Sequence, residues 1–241
     1  MFKKIIFIFI GLLCSFGLQA SESLLVVGTN AEFPPFSFLQ DRKIVGFDID
    51  VVNEVAKRLG KEILLKDMPF DALIPQVILG HVDLVAAGMS YTEERAKRVL
   101  FTNSYLDTDP LVVFSQAKAA IPFDGIKGKT IVVVEGFTSD QLMSSIEGIN
   151  LMRLNTQADA FMAIKCGRAD AFITAKSTVD AFFENQEPSQ YHTEVIAGSG
   201  ETCALIVPKN KLEVLTEVQK MLDGMENDGT MDKLKAKWKL Q

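Results

Sequence analysis

A chain of 241 residues, 48% hydrophobic and 23% charged, has enough apolar material for one large domain or two small ones. Its formal net charge of −6, with no basic run beyond the N-terminus, argues against nucleic acid as a partner. The only histidines, His81 and His192, lie far apart; nothing has metal-ligand spacing, and no cofactor is expected.

Residues 1–20, MFKKIIFIFIGLLCSFGLQA, read as a secretory signal, with Lys3 and Lys4 leading, Ile5–Leu13 apolar, and Leu18-Gln19-Ala20 as the exit. The apolar stretch is shorter than the ~20 residues a spanning helix needs, which favours cleavage over a membrane anchor. Cys14 raises lipidation, but Leu13 stands where a lipoprotein signal wants a small residue. Cleavage removes two of 25 basic residues, leaving 23 against 31 acidic ones and a mature charge of −8. Cys166 and Cys203 then remain, as a disulfide or as two separate buried thiols.

Leu24–Val27 is a short apolar strand stopped by Gly28. In Thr29–Phe38, TNAEFPPFSF, Pro34-Pro35 forbids helix. Its phenylalanines form either a plug on the core or a flat wall for a ligand. Asp41–Lys43 is a turn. A helix starts at Gly46-Phe47-Asp48 and runs through Leu59, with Val52, Val55, Ala56 and Leu59 on one face and Gly60 as the stop. Ile63–Leu65 is a strand, Asp71 is placed to cap a helix over Ala72–Leu79, and Val82–Ala87 is the next strand. The order β-loop-α-β-α-β implies a mostly parallel sheet.

The stretch Ala86–Arg98, AAGMSYTEERAKR, follows. Gly88 and Ser90 break the strand; Thr92 with Glu93 and Glu94 is N-cap chemistry for a short helix. Arg95 stands three residues beyond that cap. Open α/β sheets bind ligands outside the carboxyl ends of their strands, and backbone amides beside a forked guanidinium suit a carboxylate. An arginine pairing with glutamate on a solvated helix fits these residues equally well.

Leu111–Phe114 is another apolar run, and Ile121–Lys129 reads as a boundary loop. The pattern then begins again: strand Thr130–Val134, turn Gly136–Asp140 into a helix cap, strand Leu151–Leu154, helix Gln157–Cys166 ended by Gly167, strand Ala169–Thr174, helix Lys176–Phe183. Cys203–Val207 is a last apolar run, Lys211–Met225 is amphipathic, and a final helix runs from Gly229 to Lys239 with Trp238 inward. The chain is two α/β lobes in series.

Four stretches, GTNAEFPPFSF (28–38), VGFDIDVVNEVAKRLG (45–60), FDALIPQVILGHVDLVAAGMSYTEERAKRVLFTNSY (70–105) and GIKGKTIVVVEGFTS (125–139), with NDGTMDKLKAKW (227–238), resemble the periplasmic solute-binding proteins of polar amino-acid ABC transporters (family 3), arginine-binding members most of all. The resemblance implies the two-lobed periplasmic-binding-protein fold (Venus flytrap, type II), each lobe a mostly parallel sheet flanked by helices, joined by two crossover strands. Lobe 1 would hold residues 21–113 and 205–241, lobe 2 residues 114–204. It implies no enzyme, but a periplasmic monomer that closes on L-arginine or another basic or polar amino acid and delivers it to a permease in the inner membrane.

Residue by residue, Arg95 matches the clamp on the ligand α-carboxylate. Ser90 and Gly88, with Ala87 and Met89 beside them, match the loop that adds hydroxyl and backbone groups. Thr138 matches the helix N-terminus of lobe 2, Phe33 and Phe70 the two rings that sandwich the ligand side chain, and Asn30 a position touching its distal end. Two aromatic faces suit a planar cation, with Glu32 or Glu201 offering a carboxylate. The family's usual aspartate for the α-ammonium is replaced here by Ala175. Glu201 is the candidate substitute; the alternative is a solvent-facing glutamate in a Gly-Ser-Gly loop. A dehydratase-like enzyme on the same fold, or a surface adhesin, are the rival functions.

Overall fold

The computed structural model describes residues 24–106 and 108–240, so the signal segment and Cys14 lie outside the described residues. In chain order the first elements are β1 Leu24–Thr29, β2 Glu32–Phe33, β3 Ser37–Gln40, β4 Lys43–Val45, α1 Phe47–Arg58, β5 Glu62–Asp67, α2 Phe70–Ile78, β6 Leu84–Val85, α3 Glu93–Ala96 and β7 Val99–Phe101. There follow β8 Leu111–Gln116, β9 Thr130–Val134, α4 Thr138–Ser144, β10 Asn150–Leu154, α5 Gln157–Lys165, β11 Ala171–Ala175, α6 Lys176–Phe183 and β12 Tyr191–Val195, then β13 Ile206–Pro208, α7 Leu212–Asn227 and α8 Thr230–Lys237.

Two five-stranded sheets result. The first has the order β5-β1-β6-β13-β7, the second β10-β9-β11-β8-β12. In the first, β1 runs parallel to β5 and β6, while the returning β13 is antiparallel to β6 and β7. In the second, β9 is parallel to β10 and β11, and β8 is antiparallel to β11 and β12. The segment 32–45 forms a small antiparallel sheet of its own, β2-β3-β4.

Strand β8 shows how the second lobe is built. Its residues alternate between two cores, Leu111 and Val113 on one face, Val112 and Phe114 on the other. Both faces are covered, which is why the sequence reads as an unbroken apolar run there and in β9. The expected lobe boundary at 113/114 cuts through this strand. Its pairing with β11 and β12 is continuous across that point, so residues 111–113 go with the second sheet.

The chain crosses between sheets twice, over 102–110 and 196–205, and the crossings are laced together. Thr102 N donates to Leu205 O (3.0 Å) and Tyr105 N to Cys203 O (3.0 Å). Asp109 and Glu201 exchange both backbone bonds, at 2.9 and 2.7 Å.

Several local expectations are corrected. Gly28 does not end β1; its backbone pairs with Lys66 and Val85 on either side, and glycine suits the position because a Cβ there would press on Leu73 and Val82 at 3.3 Å. Strand β6 covers only Leu84–Val85, because Gly88 turns the chain at φ +60°. Asp71 caps nothing: helix α2 begins at Phe70 behind Pro69, and the carboxylate sits within its first turn. Both remaining cysteines are free, Cys203 buried but Cys166 exposed. Thr92, by contrast, does cap α3, accepting from Arg95 N at 3.2 Å, and Trp238 packs edge-on against Phe38 and donates to Asp50 at 2.6 Å.

Candidate ligand site between the lobes

The site begins with Asp48, in the first turn of α1. It is fully buried, and its Oδ2 accepts from Gly88 N. That bond pins the loop following β6. Gly88 itself tolerates no side chain, since an added Cβ would lie 2.6 Å from the Phe33 ring. Two residues on, the Ser90 hydroxyl accepts from Thr202 N at 3.1 Å, tying the loop to the second crossing.

Arg95 is 5% exposed. Its Nη1 donates to Ser90 O at 2.8 Å, and its Nη2 reaches across to Gly136 O in the other lobe, also at 2.8 Å. The guanidinium carbon lies 5.4 Å from the Phe70 ring centroid. Of its five N–H donors, three stay unengaged by hydrogen bonds among the described residues.

Facing it from the second crossing is Glu201, 6% exposed. Burial first, and then the nearby charge of Asp109, push its carboxyl up to about 8; the Arg95 charge opposes this. Asp109 is turned away, its carboxylate accepting from the backbone N and hydroxyl of Ser177 at the start of α6. Ala175, buried at the end of β11, presents only a methyl group. From the second lobe come Thr138, whose Oγ1 is buried with no partner among the described residues, and Phe137 beside it.

Phe33, Phe70, Gly88, Ser90, Arg95, Phe137, Thr138 and Glu201 therefore wall a single tightly closed cleft, filled by their own side chains. Seven of these eight were expected from sequence, and Glu201 faces the cleft rather than solvent. Four expected residues are placed elsewhere. Asn30 is committed to the frame, its Nδ2 donating to Met68 O at 3.1 Å and its carbonyl accepting from Ser37 Oγ at 2.6 Å. Ala87 and Met89 are buried in the lobe 1 core, Met89 O accepting from Ala204 N. Glu32 opens onto a separate, larger interlobe groove of about 910 Å³, shared with Phe38, Gln157, Phe182 and Trp238.

Phe137 is the residue missed. It sits in the strand-Gly-helix turn GFTS, beside Thr138, whose match to the helix N-terminus is the chemistry the sequence displays there. Among the described residues no group of three or more His, Cys, Asp or Glu is placed to hold a metal ion.

The buried acids make stability depend on pH. Burial raises Asp48 from 3.8 to about 7, against the opposing bond from Gly88 N; Glu201 rises likewise from 4.5. A group raised in the folded state binds protons more tightly there than in the unfolded chain. Its contribution is complete below the unfolded value and is lost as pH climbs through the folded one. The ligand-free melting temperature is expected to rise as pH falls from 8 to 5. Asp48→Asn, which keeps an acceptor for Gly88 N, is expected to flatten that slope in a thermal-denaturation series. An unchanged slope would mean Asp48 is ionised throughout.

Two α/β lobes, laced by paired crossings around a cleft that opposes a buried guanidinium to a buried carboxyl, define a bilobal solute-binding protein. Residues 25–241 match the bacterial extracellular solute-binding proteins, family 3, and the chain belongs to that family. It is 30% identical over 225 residues to the arginine-binding extracellular protein ArtP of Bacillus subtilis, covering 92% of this chain and 88% of that one. It is 32% identical over 227 residues to a probable histidine-binding protein of Campylobacter jejuni, with the same two coverages of 92% and 88%. Among solved structures, an ancestral arginine-binding protein bound to arginine superposes with a TM-score of 0.85 at 34% identity, over 90% of this chain and 98% of that one. Among the described residues no helix is long and apolar enough to cross a membrane.

Proposed function

We propose that the protein captures a free L-amino acid, arginine fitting best, by closing its lobes, and delivers it to the permease of an ABC importer. It would act outside the inner membrane after removal of residues 1–20. The observation that carries this reading is a buried guanidinium set opposite a buried carboxyl in one cleft. A zwitterion offers a carboxylate to Arg95 and Thr138 and an ammonium to Glu201, whose carboxyl gives up its proton as the ammonium arrives, so each end of the ligand gains its complement. Phe33 and Phe70 wall the end of the cleft that would receive the side chain, and ring faces attract a guanidinium. The names of the relatives, arginine-binding and histidine-binding, support an amino acid and leave the choice among basic ones to this chain's own walls.

Calorimetric titration against the twenty amino acids tests it. The expected result is one site per chain, with arginine tightest and lysine, histidine and glutamine weaker. Silence with every amino acid would overturn the reading; histidine in first place would overturn only the choice of arginine. The raised carboxyl of Glu201 is also what an acid catalyst on this fold would use. Turnover of a cyclic substrate, in place of stoichiometric binding, would favour that second reading.

A further inference from the structure

We propose that Phe137 is a specificity-determining residue: carried on the second lobe, it closes the side-chain compartment as a third aromatic wall and selects a flat cationic side chain over a shorter neutral amide. The inference rests on the amino-acid reading above.

The geometry is that of a cage divided between lobes. The Phe137 ring lies 4.4 Å from the Phe70 centroid and 5.0 Å from that of Phe33, tilted by 51° and 58°. Phe36 backs Phe33 at 4.8 Å. Phe33 and Phe70 belong to the first lobe and face the cleft whether the lobes are open or closed. Phe137 arrives only with the second lobe. Any contact it makes with a ligand side chain is therefore made in the closed form alone, and such a differential contact biases the closing equilibrium.

The ring is also held in register with the carboxylate clamp. Gly136, at φ +79°, aims the turn, and its carbonyl receives Arg95 Nη2. Phe137 N donates to Val134 O at 3.2 Å, and Phe137 O accepts from Asp140 N at 3.0 Å. The clamp and the third wall thus sit on consecutive residues of one turn. Because the ring contacts both Phe33 and Phe70, a ligand side chain entering between them must part it from at least one. It then lies among three aromatic rings. The protein's own Arg95 shows a guanidinium over one of them, its carbon 5.4 Å from the Phe70 centroid. A cation gains from each face in a desolvated site, whereas a neutral amide gains only packing.

The test compares dissociation constants for arginine and glutamine in the wild type, Phe137→Leu and Phe137→Tyr, with ligand-free melting temperatures alongside. Leucine keeps an apolar side chain but removes the π face; tyrosine keeps the face. The arginine-over-glutamine preference is expected to fall about tenfold in Phe137→Leu and to stay within about twofold of wild type in Phe137→Tyr. A preference unchanged in Phe137→Leu, with arginine still bound by the wild type, would overturn the inference and leave the functional reading intact. A wild type that binds no amino acid would overturn the reading on which the inference stands; one that binds arginine and glutamine equally would overturn the inference itself.

Discussion

Arg95→Lys is expected to weaken amino-acid capture by about ten- to a hundredfold, although the formal charge is conserved. A charged hydrogen bond contributes roughly 1.5–3 kcal/mol, and lysine cannot reproduce the guanidinium's planar fork. The structure makes that fork do two jobs. One arm holds Ser90 O within the first lobe and the other holds Gly136 O in the second, and the remaining donors face the cleft with Glu201 and Thr138. An ammonium on a flexible stem can serve one of these partners well, but not all of them together. The measurement is the arginine dissociation constant, with the ligand-free melting temperature as a check that the buried position still folds. An affinity equal to wild type would show that the α-carboxylate is held elsewhere.

Much of this site is legible in the sequence because its chemistry is local. Thr92, Glu93 and Glu94 announce the short helix that carries Arg95, and its cap bond forms as that spacing requires. The turn after β9 is marked by Gly136. Long-range relations are harder to read. Nothing near Asn30 in sequence says that its amide will be used by Met68 O, so a polar side chain beside the aromatic loop looks free for a ligand when it belongs to the frame. Phe137 looks like one more core aromatic until the second lobe brings it onto Phe33 and Phe70. Strand β12 escapes for another reason: at the edge of its sheet its residues are half-buried or exposed, and no apolar run marks it.

The second large effect concerns Glu201. Glu201→Gln is expected to lower arginine affinity about tenfold or more at pH 8, the loss of one charge-assisted partner for a buried ammonium. The pH profile separates this from mere packing. Burial and Asp109 raise the Glu201 carboxyl to about 8, so near neutral pH it carries a proton that an incoming ammonium must expel. Wild-type affinity is therefore expected to climb as pH rises from 6 toward 8, with proton release seen as buffer-dependent heat, and Glu201→Gln to show neither. Ala175→Asp in that variant is expected to restore part of the affinity from the end of β11. The restoration is partial because the new carboxylate joins Asp109, whose own carboxyl burial already raises. Wild-type affinity and an unaltered pH profile in Glu201→Gln would assign the ammonium to backbone carbonyls.

The lacing of the two crossings has a mechanical consequence. Independent linkers would let one lobe wander, twist and slide relative to the other. A hydrogen-bonded pair of strands behaves as a ribbon: it bends readily out of its own plane but resists shear along its length and splaying across its width, because either would break the rungs between Thr102 and Leu205, Tyr105 and Cys203, and Asp109 and Glu201. Closure of the lobes, as proposed above, would thereby be reduced toward a swing about one axis. Each swing would return the same turn, with Gly136, Phe137 and Thr138 at its tip, to the same place opposite Arg95. An extra residue in one strand alone would have to be absorbed as a bulge, tilting that axis and misdirecting the returning turn although no residue of the cleft had changed.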